Sequence, residues 1–359
     1  MASNTENLMI GAGDDMSHQL GVEPDAQSSK GNQIVQMPAG IPLITKGLVS
    51  MSAGLRHSVF VFDDGKIIAA GDDRNDQIGV NQQQLYSVPT EVKILSESAL
   101  SENGKVIQVA CGEYYTAYLT ENGSIFINGW RNPGNQYKAE IIEDGNAVKF
   151  VLIQAGFDAP VAIGENGALY IFDSYYNTKP PIKFISEKPF YDVARGSNFI
   201  IAIDIEGNVF GSGCAINNKT DITSKFEKIP NLGNIQSGRV FANYKTAAVL
   251  DLKEGKVYVM NTENKFELIE SLQDQKVVNM DVGKFYALFV TDKSELFALG
   301  QNSFGELMLG KTDENPLTLT HGAFQRMKIN FVKCGTHHSF AIVNGSPLQH
   351  YGAKKFNIK

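Results

Sequence analysis

The sequence predicts an all-β fold, a seven-bladed β-propeller of four-stranded antiparallel blades. Three observations predict it: a short two-strand unit recurs seven times, its glycines keep fixed spacings, and the copies begin 40–58 residues apart. A unit of this size cannot bury its apolar face alone, so recurrence at this period is typical of propellers and solenoids. A propeller also accommodates all 359 residues in one closed domain.

The repeating unit is clearest between residues 53 and 80. Residues 59–62 form a continuous apolar run, which is typical of a strand buried on both faces. Asp64-Gly65 then predicts a tight turn, because glycine readily adopts the positive φ that such a turn needs. Residues 66–70 form the return strand, and Gly71 ends it.

The other copies keep the same glycine positions, for which we predict a structural role. The first glycine of each copy is Gly54, Gly112, Gly156, Gly196, Gly283 or Gly335, with Ala242 taken as its counterpart in the fifth copy. The turn glycine lies 11 residues further on, at Gly65, Gly123, Gly167 and Gly207, with Ser294 in the sixth copy. The exit glycine lies another 6 residues on, at Gly71, Gly129, Gly213 and Gly300.

The residues of the first copy, AGLRHSVFVFDDGKIIAAGDDRNDQIG, resemble the repeat of the regulator of chromosome condensation family. That repeat reads roughly A-G-x-x-H-[ST]-x-x-L-x-x-D-G-x-[VL]-[YF]-x-[WF]-G-x-[ND]-x-x-G-Q-L-G. The fragments LMIGAGDDMSHQLGV (8–22) and FALGQNSFGELMLG (297–310) are similar to it as well, whereas the third to fifth copies match weakly. The resemblance covers nearly the whole chain and implies a divergent seven-bladed propeller.

A half unit at residues 8–22 predicts how the ring closes. We expect residues 8–13 to complete the blade begun by residues 331–343, with PLQHYG near the C-terminus as the competing candidate. The predicted organisation is a flexible segment at 1–7, one propeller domain at 8–353, and a tail at 354–359. An outer strand is expected near Ile41–Ile44 and a short helix near Ser96–Ser101.

Composition excludes several functional classes. A net charge of −7 and a pI near 5.5 argue against affinity for nucleic acid, and the longest apolar runs fall short of the 18 residues of a membrane span. Three cysteines without C-x-x-C spacing indicate a reducing compartment, the cytoplasm or the nucleus, and no zinc site. Cys111, Cys214 and Cys334 are predicted to be small buried side chains.

The sequence carries no recognisable catalytic or cofactor-binding motif. A nucleophile elbow, a phosphate-binding glycine loop and H-E-x-x-H are all missing, so we expect neither an enzyme nor a cofactor. His57 and His338 occupy the histidine position of the repeat, where Tyr115 stands in the second copy. We favour a structural role, bonding backbone groups between blades, over metal binding. The two histidines are six units apart along the chain, which argues against a shared metal.

The residues after each first glycine are expected to ring one mouth of the central channel. Aromatic and arginine side chains there are candidates for partner binding, although packing into neighbouring blades is the alternative. The candidates are Arg56, Tyr114, Phe157, Asp158, Lys284, Phe285 and His337, together with Leu55, Glu113 and Asn198. Trp130 is a candidate loop anchor, or packs under its own loop. Exit-loop positions such as Arg74 and Asn302 are expected to lie away from this surface.

The resemblance implies two functions. The favoured one is a monomeric protein-interaction platform, and the alternative is guanine-nucleotide exchange on a Ran-like small GTPase. Exchangers of that kind carry a basic N-terminal tail and a hairpin wedge, but residues 1–30 are acidic and the short intervals between the middle repeats leave little room for a wedge. Photoreceptor relatives use clustered tryptophans, and this chain has one, Trp130.

Overall fold

The computed structural model contains seven four-stranded antiparallel sheets, as the sequence predicts. It describes residues 8–22, 34–41, 45–80, 82–129, 136–139, 141–173, 181–213, 222, 226–235, 237–310, 320–321 and 328–343. Within these ranges, the helices are all too short and too polar to cross a membrane.

The blades follow one another along the chain, and we number them from the first complete repeat. Two strands precede blade 1: β1 (Leu8–Asp14) and β2 (Ile34–Gly40). Blade 1 contains β3 (Leu48–Ala53), β4 (His57–Phe62), β5 (Ile67–Asp72) and β6 (Leu85–Glu91). Helix α1 (Glu97–Asn103) then leads to blade 2, with β7 (Val106–Cys111), β8 (Tyr115–Thr120), β9 (Ile125–Gly129) and β10 (Tyr137–Lys138).

A two-stranded hairpin, β11 (Ile142–Glu143) and β12 (Asn146–Ala147), precedes blade 3. Blade 3 contains β13 (Phe150–Gln154), β14 (Val161–Gly164), β15 (Leu169–Ile171) and β16 (Ile182–Phe184). Blade 4 contains β17 (Phe190–Arg195), β18 (Phe199–Asp204), β19 (Val209–Gly213) and β20 (Glu227–Lys228). A short 3₁₀ turn (Pro230–Leu232) follows blade 4.

Blade 5 contains β21 (Gly238–Asn243), β22 (Thr246–Asp251), β23 (Lys256–Met260) and β24 (Phe266–Leu268). After a second 3₁₀ turn (Glu270–Leu272), blade 6 contains β25 (Val277–Val282), β26 (Tyr286–Thr291), β27 (Leu296–Gly300) and β28 (Thr320–His321). Blade 7 begins with β29 (Ile329–Cys334) and β30 (His338–Val343) and is completed by β1 and β2.

Ring closure by the N-terminal strand is confirmed. Strand β1 lies between β30 and β2, with Leu8 opposite Val343 and Gly13 opposite His338. Both edges of β1 are therefore paired, and the sheet edge that would invite aggregation is removed. The competing segment PLQHYG, the two chain ends and Cys214 lie outside the described residues.

The hydrophobic core lies between neighbouring blades. One cluster joins Val59 and Val61 of blade 1 to Val109 and Tyr118 of blade 2, and the other seams are filled in the same way. The innermost strands are also joined by hydrogen bonds, since Val109 N–H donates to Ser50 Oγ at 3.1 Å. Burial of apolar side chains at each seam makes every blade depend on its neighbours.

Two local expectations need correction. An outer strand pairs with β1 at Ile34–Gly40, earlier than the one expected near Ile41–Ile44, of which residues 42–44 lie outside the described residues. A hairpin also fits between the second and third repeats, where little room was expected. Helix α1 overlaps the predicted segment and begins after Ser96, whose Oγ accepts from Ala99 N–H.

Candidate partner-binding face

The turns between the first and second strands of the blades ring one mouth of the central channel. Backbone hydrogen bonds join one turn to the next: Glu113 N–H donates to the Phe157 carbonyl at 3.1 Å, and Thr336 N–H donates to the Gly54 carbonyl at 3.0 Å. The same turn residues line the channel cavity. We call this surface the mouth face.

The exit loops after the third strands lie on the mouth face too. Asp72 N–H donates to the Arg56 carbonyl at 2.8 Å, and Gln301 N–H donates to the Phe285 carbonyl at 2.9 Å. The expectation that exit-loop positions such as Arg74 and Asn302 lie elsewhere is therefore wrong, and Asn302 is fully buried. Turns between the second and third strands, such as the one containing Asp64, mark the opposite face.

Three aromatic side chains on the mouth face contact one another. The ring centroids of Phe157 and Tyr244 are 5.4 Å apart, and those of Tyr244 and Phe285 are 5.5 Å apart in an edge-to-face arrangement. Lys284 Nζ lies 4.7 Å from the centroid of the Tyr244 ring, within cation–π distance. We call Phe157, Tyr244, Phe285 and Lys284 the aromatic cluster.

Tyr244, at the centre of this cluster, is absent from the sequence-based candidates. The register of blade 5 places Asn243 opposite Thr246, so Asn243 and not Ala242 occupies the first-glycine position. The following turn, between Asp251 and Lys256, is one residue longer than the corresponding turn of blade 1, which obscures the glycine spacing. The signal that could have revealed the error is the apolar run 247–250, aligned on residues 58–61.

Charged groups lie around the aromatic cluster. Burial and the nearby Asp158 raise the pKa of Glu113 to about 7, against the opposing charges of Lys284 and Arg56. His337 packs on Phe304 with ring centroids 4.8 Å apart, and burial together with Lys284 lowers the pKa of its imidazole to about 4. His337 is therefore neutral at physiological pH. The mouth face combines acids and cations at close range.

Comparisons with known proteins agree with this geometry. A family profile described as "Regulator of chromosome condensation (RCC1) repeat" matches residues 64–119. The regulator of chromosome condensation of Xenopus laevis is 20% identical over 375 residues, covering 88% of this chain and 83% of that protein. The human E3 ubiquitin-protein ligase HERC2 is 24% identical over 352 residues, covering 87% of this chain and 7% of the ligase.

Solved structures share the fold. The structure of Prp20p from Saccharomyces cerevisiae superposes with a TM-score of 0.77 at 17% identity, covering 99% of this chain and 95% of that one. Human WBSCR16 gives a TM-score of 0.74, also at 17% identity, covering 94% of this chain and 98% of that one. Residues 64–119 match the RCC1 repeat, and the chain as a whole has the propeller fold of these RCC1-like structures.

The histidine position of the RCC1 repeat bonds one blade to the next. His57 Nε2 lies 2.8 Å from Thr116 Oγ1 of blade 2, and His338 Nε2 lies 3.0 Å from Ser58 Oγ of blade 1. Tyr115 instead donates to a backbone group, the Gly156 carbonyl of blade 3, at 3.1 Å. Side-chain hydroxyls are therefore the partners of the histidines, and backbone groups are partners of the tyrosine.

The two histidines lie in neighbouring blades, since ring closure places blade 7 beside blade 1. Their separation of six repeats along the chain therefore does not correspond to their separation in the ring, and it was not a valid argument against a shared metal. Burial lowers the pKa of His57 to about 4 and that of His338 to about 3, so both imidazoles are neutral. Among the described residues, groups of three or more His, Cys, Asp or Glu side chains that could hold a metal are not found.

The central channel is narrow, and both polar and apolar residues line it. Its cavity has a volume of about 110 Å³. Arg195 crosses from blade 4 to blade 3, where its Nη1 donates to the Phe172 carbonyl at 2.6 Å. Lys333 pairs with Asp281 at 2.9 Å across the seam between blades 7 and 6. These contacts connect the inner strands of neighbouring blades.

The hairpin β11–β12 lies on the opposite face from the aromatic cluster, since it belongs to the connection from an outer strand to the next inner strand. Ile142 at its start is 63% exposed. Glu143 is held by Lys183 and accepts from Tyr170 Oη at 3.0 Å. The candidate anchor Trp130 lies outside the described residues.

Proposed function

We propose that this RCC1-repeat propeller is a protein-interaction platform whose partner docks on the mouth face. The aromatic cluster carries the proposal. Its rings are held against one another, and Phe285 nonetheless remains 38% exposed. Large aromatic side chains with arginine nearby are the residues that dominate binding energy at protein interfaces. Arg56 supplies the arginine on the same face.

The backbone around Phe285 is fixed before any partner arrives. Phe285 has φ of +96°, a conformation that bulky residues rarely adopt, and its N–H donates to the Gly283 carbonyl at 3.0 Å and to Thr246 Oγ1 at 3.1 Å. Its carbonyl accepts from Gln301 N–H. A preorganised exposed ring loses little conformational entropy on binding, which favours affinity.

The experiment uses the partner obtained by affinity purification from the native source. Alanine variants of Arg56, Tyr114, Phe157 and Phe285 are titrated against it, beside matched controls Asp64→Ala and Glu165→Ala on the opposite face. We expect at least one mouth variant to lose about 2 kcal/mol, roughly 30-fold in Kd, while the controls bind like the parent. Normal binding by all four folded mouth variants, with a control impaired, would place the interface on the opposite face.

The alternative function is nucleotide exchange on a Ran-like small GTPase, and the hairpin β11–β12 favours it. Prp20p has binding properties toward Gsp1p and histones. A human RCC1-like G exchanging factor-like protein is 23% identical to this chain over 304 residues, covering 78% of this chain and 58% of that protein. An exposed hairpin on the opposite face would be the element that contacts a GTPase. The test is the rate of nucleotide release from a purified GTPase, with Ile142→Ala compared with Tyr114→Ala.

The two functions use different faces, which makes them separable. Faster nucleotide release that Ile142→Ala abolishes and Tyr114→Ala leaves intact would establish exchange through the hairpin. A GTPase that binds without faster release, and only when the mouth face is intact, would support the platform. Under either function the propeller acts as a monomer, without a cofactor and without binding nucleic acid, and it regulates a partner rather than catalysing a covalent reaction.

A further inference from the structure

Three exit loops of this propeller insert an aliphatic side chain into the seam with the next blade. Leu20, Ile78 and Leu307 are all fully buried and belong to the core clusters that join blades 7 and 1, 1 and 2, and 6 and 7. We call them plug residues. Backbone contacts fix the loops in place: the Ile78 carbonyl accepts from Tyr118 Oη at 2.6 Å, and the Glu306 carbonyl accepts from Ser339 Oγ at 2.6 Å.

Each plug loop covers the same position on the next blade. This position is in the third strand of the blade, opposite the second residue of the second strand. It is Ala70 in blade 1, Asn128 in blade 2 and Ala12 in blade 7. Gly21 packs against Pro89 and Ala70, and Gly79 packs against Asn128, so closely that a Cβ on either glycine would clash. All three covered residues are 0–1% exposed.

Among the described exit loops, the one that leads into the seam between blades 5 and 6 has no plug residue. The link between β23 and β24 is only the turn from Asn261 to Lys265, closed by an Asn261 N–H bond to the Lys265 carbonyl at 2.8 Å. Leu299, which lies opposite Ala287 and corresponds to Ala70, is consequently half-buried rather than covered. Of the four exit loops that the structure describes, this is the one that leaves its seam open.

A groove of about 610 Å³ crosses blade 5, from Asn198 and Phe199 of blade 4 to Leu299 and Gly300 of blade 6, and includes the open seam. Val259, Met260, Ala287 and Leu299 form its apolar floor, and Phe285 of the aromatic cluster forms part of its wall. Lys245 is the single charged side chain among the described lining residues, and it is exposed. A groove with an aliphatic floor and a cationic rim is complementary to an aliphatic side chain flanked by carboxylates.

We infer that this groove docks a glycine-flanked loop of a partner protein, which inserts a Leu or Ile as a plug in trans and places an acidic side chain beside Lys245. The inference rests on the proposed function and names the chemistry of the partner segment. The chain's own plug loops show the form required: HQLG at 18–21 and DQIG at 76–79 each fill a seam of the same architecture. The groove adjoins the aromatic cluster through Phe285, so one partner can contact both.

The probe is a fluorescent, backbone-cyclised peptide of residues 72–80, DDRNDQIGV, titrated into the full chain and followed by anisotropy. It contains three aspartates and one arginine, and its isoleucine is the plug. We expect saturable binding, weakened at least about tenfold in the Ile78→Ser peptide, because burial of the aliphatic side chain is lost. Equal binding of the two peptides, or no saturable binding of the isoleucine peptide, would overturn the inference.

Variants of the chain locate the site. Leu299→Arg should abolish peptide binding. Leu100→Arg on helix α1 makes the same change at an exposed leucine away from the groove and should bind normally. Lys245→Glu, an exposed change that does not depend on core packing, should weaken binding and remove its salt dependence. Unchanged binding by both groove variants would contradict the docking site. A parent chain that sediments as a dimer, and a Leu299→Arg variant that is a monomer, would show that a second copy covers the groove instead.

The purified partner separates this inference from the proposed function. If the mouth variants weaken its binding and Leu299→Arg does not, the groove is not the docking site and the platform function stands. If the mouth variants and Leu299→Arg all bind like the parent, both the groove and the mouth face are excluded.

Discussion

Asp15 and Asp73 each close an exit loop from a buried position. Asp15 Oδ1 accepts from Leu20 N–H at 2.8 Å, and Asp73 Oδ1 accepts from Ile78 N–H at 2.7 Å. The other carboxylate oxygen of each residue is buried and has no hydrogen-bond partner. Asn302 Oδ1 accepts the corresponding hydrogen bond from Leu307 N–H at 2.9 Å, and its side chain is uncharged. Burial accordingly raises the pKa of both aspartates to about 7.

We therefore predict that Asp73→Asn stabilises the chain at pH 8, and by clearly less at pH 5. The pKa of Asp73 in the folded chain is above the unfolded value of 3.8, so the folded chain binds this proton more tightly. The stability that Asp73 contributes therefore falls as pH rises from about 4 through 7. His57 and His338 act in the opposite direction, losing stability as pH falls below about 6.5. The measurement is the difference in unfolding free energy between variant and parent at both pH values.

The control for this prediction is Asp64→Asn, which changes an exposed turn carboxylate and should leave stability unchanged at both pH values. A variant Asp73→Asn that is less stable than the parent at pH 8 would show that the charged form is the one the loop requires.

His57→Ala should cost on the order of 1–3 kcal/mol, because the Thr116 hydroxyl loses its imidazole partner inside a fully buried seam. Denaturant unfolding measures the cost, and partner binding by the folded variant should be unchanged. Loss of binding with unchanged stability would assign His57 to the interface, which its burial between blades 1 and 2 argues against.

At the scale of elements, strand β1 carries the closure of the ring. Met9, Ile10 and Ala12 are buried between β30 and β2 and contribute to the cores of two seams. Deleting residues 1–22 should lower the melting temperature by at least about 5 °C, since several buried side chains and both pairings of β1 are lost. Deletion of residues 1–7 alone is the control. A 1–22 deletion as stable as the parent would mean that another segment pairs with β30.

The elements that the sequence predicts well are those whose hydrophobic pattern and turn glycines agree. Blade 1 and the half unit at residues 8–22 meet that condition, and both the strand order and the closure follow from them. Blade 5 does not, because one extra turn residue shifts the glycine spacing and hides Tyr244. The open groove could not be predicted from blade 5 alone. It results from an exit loop that is short only in comparison with the exit loops of the other described blades.

At the scale of the whole molecule, closure makes neighbours of residues that are distant in sequence. His338 and Ser58 are 280 positions apart and hydrogen-bonded, a contact that linear spacing cannot show. The closed ring has two chemically different faces. The mouth face carries the aromatic cluster and the groove, and the opposite face carries the hairpin β11–β12.

The overall charge of −7 leads to a prediction about nucleic acid. An acidic protein releases few condensed counterions from DNA, so we expect no binding tighter than micromolar to duplex DNA at about 150 mM salt. A fluorescence titration with a short duplex measures this directly. Micromolar or tighter binding at that salt concentration would require a basic surface that compensates for the net charge.

Hydrogen exchange of the full chain, with and without its purified partner, tests the central claim that the partner docks on the mouth face. We predict slower exchange in the turn peptides that contain Arg56, Tyr114, Phe157, Tyr244 and Phe285 when the partner is bound. Exchange at Ile142–Ala147 on the opposite face should not change. Protection confined to the hairpin, with the mouth turns unaffected, would contradict the claim.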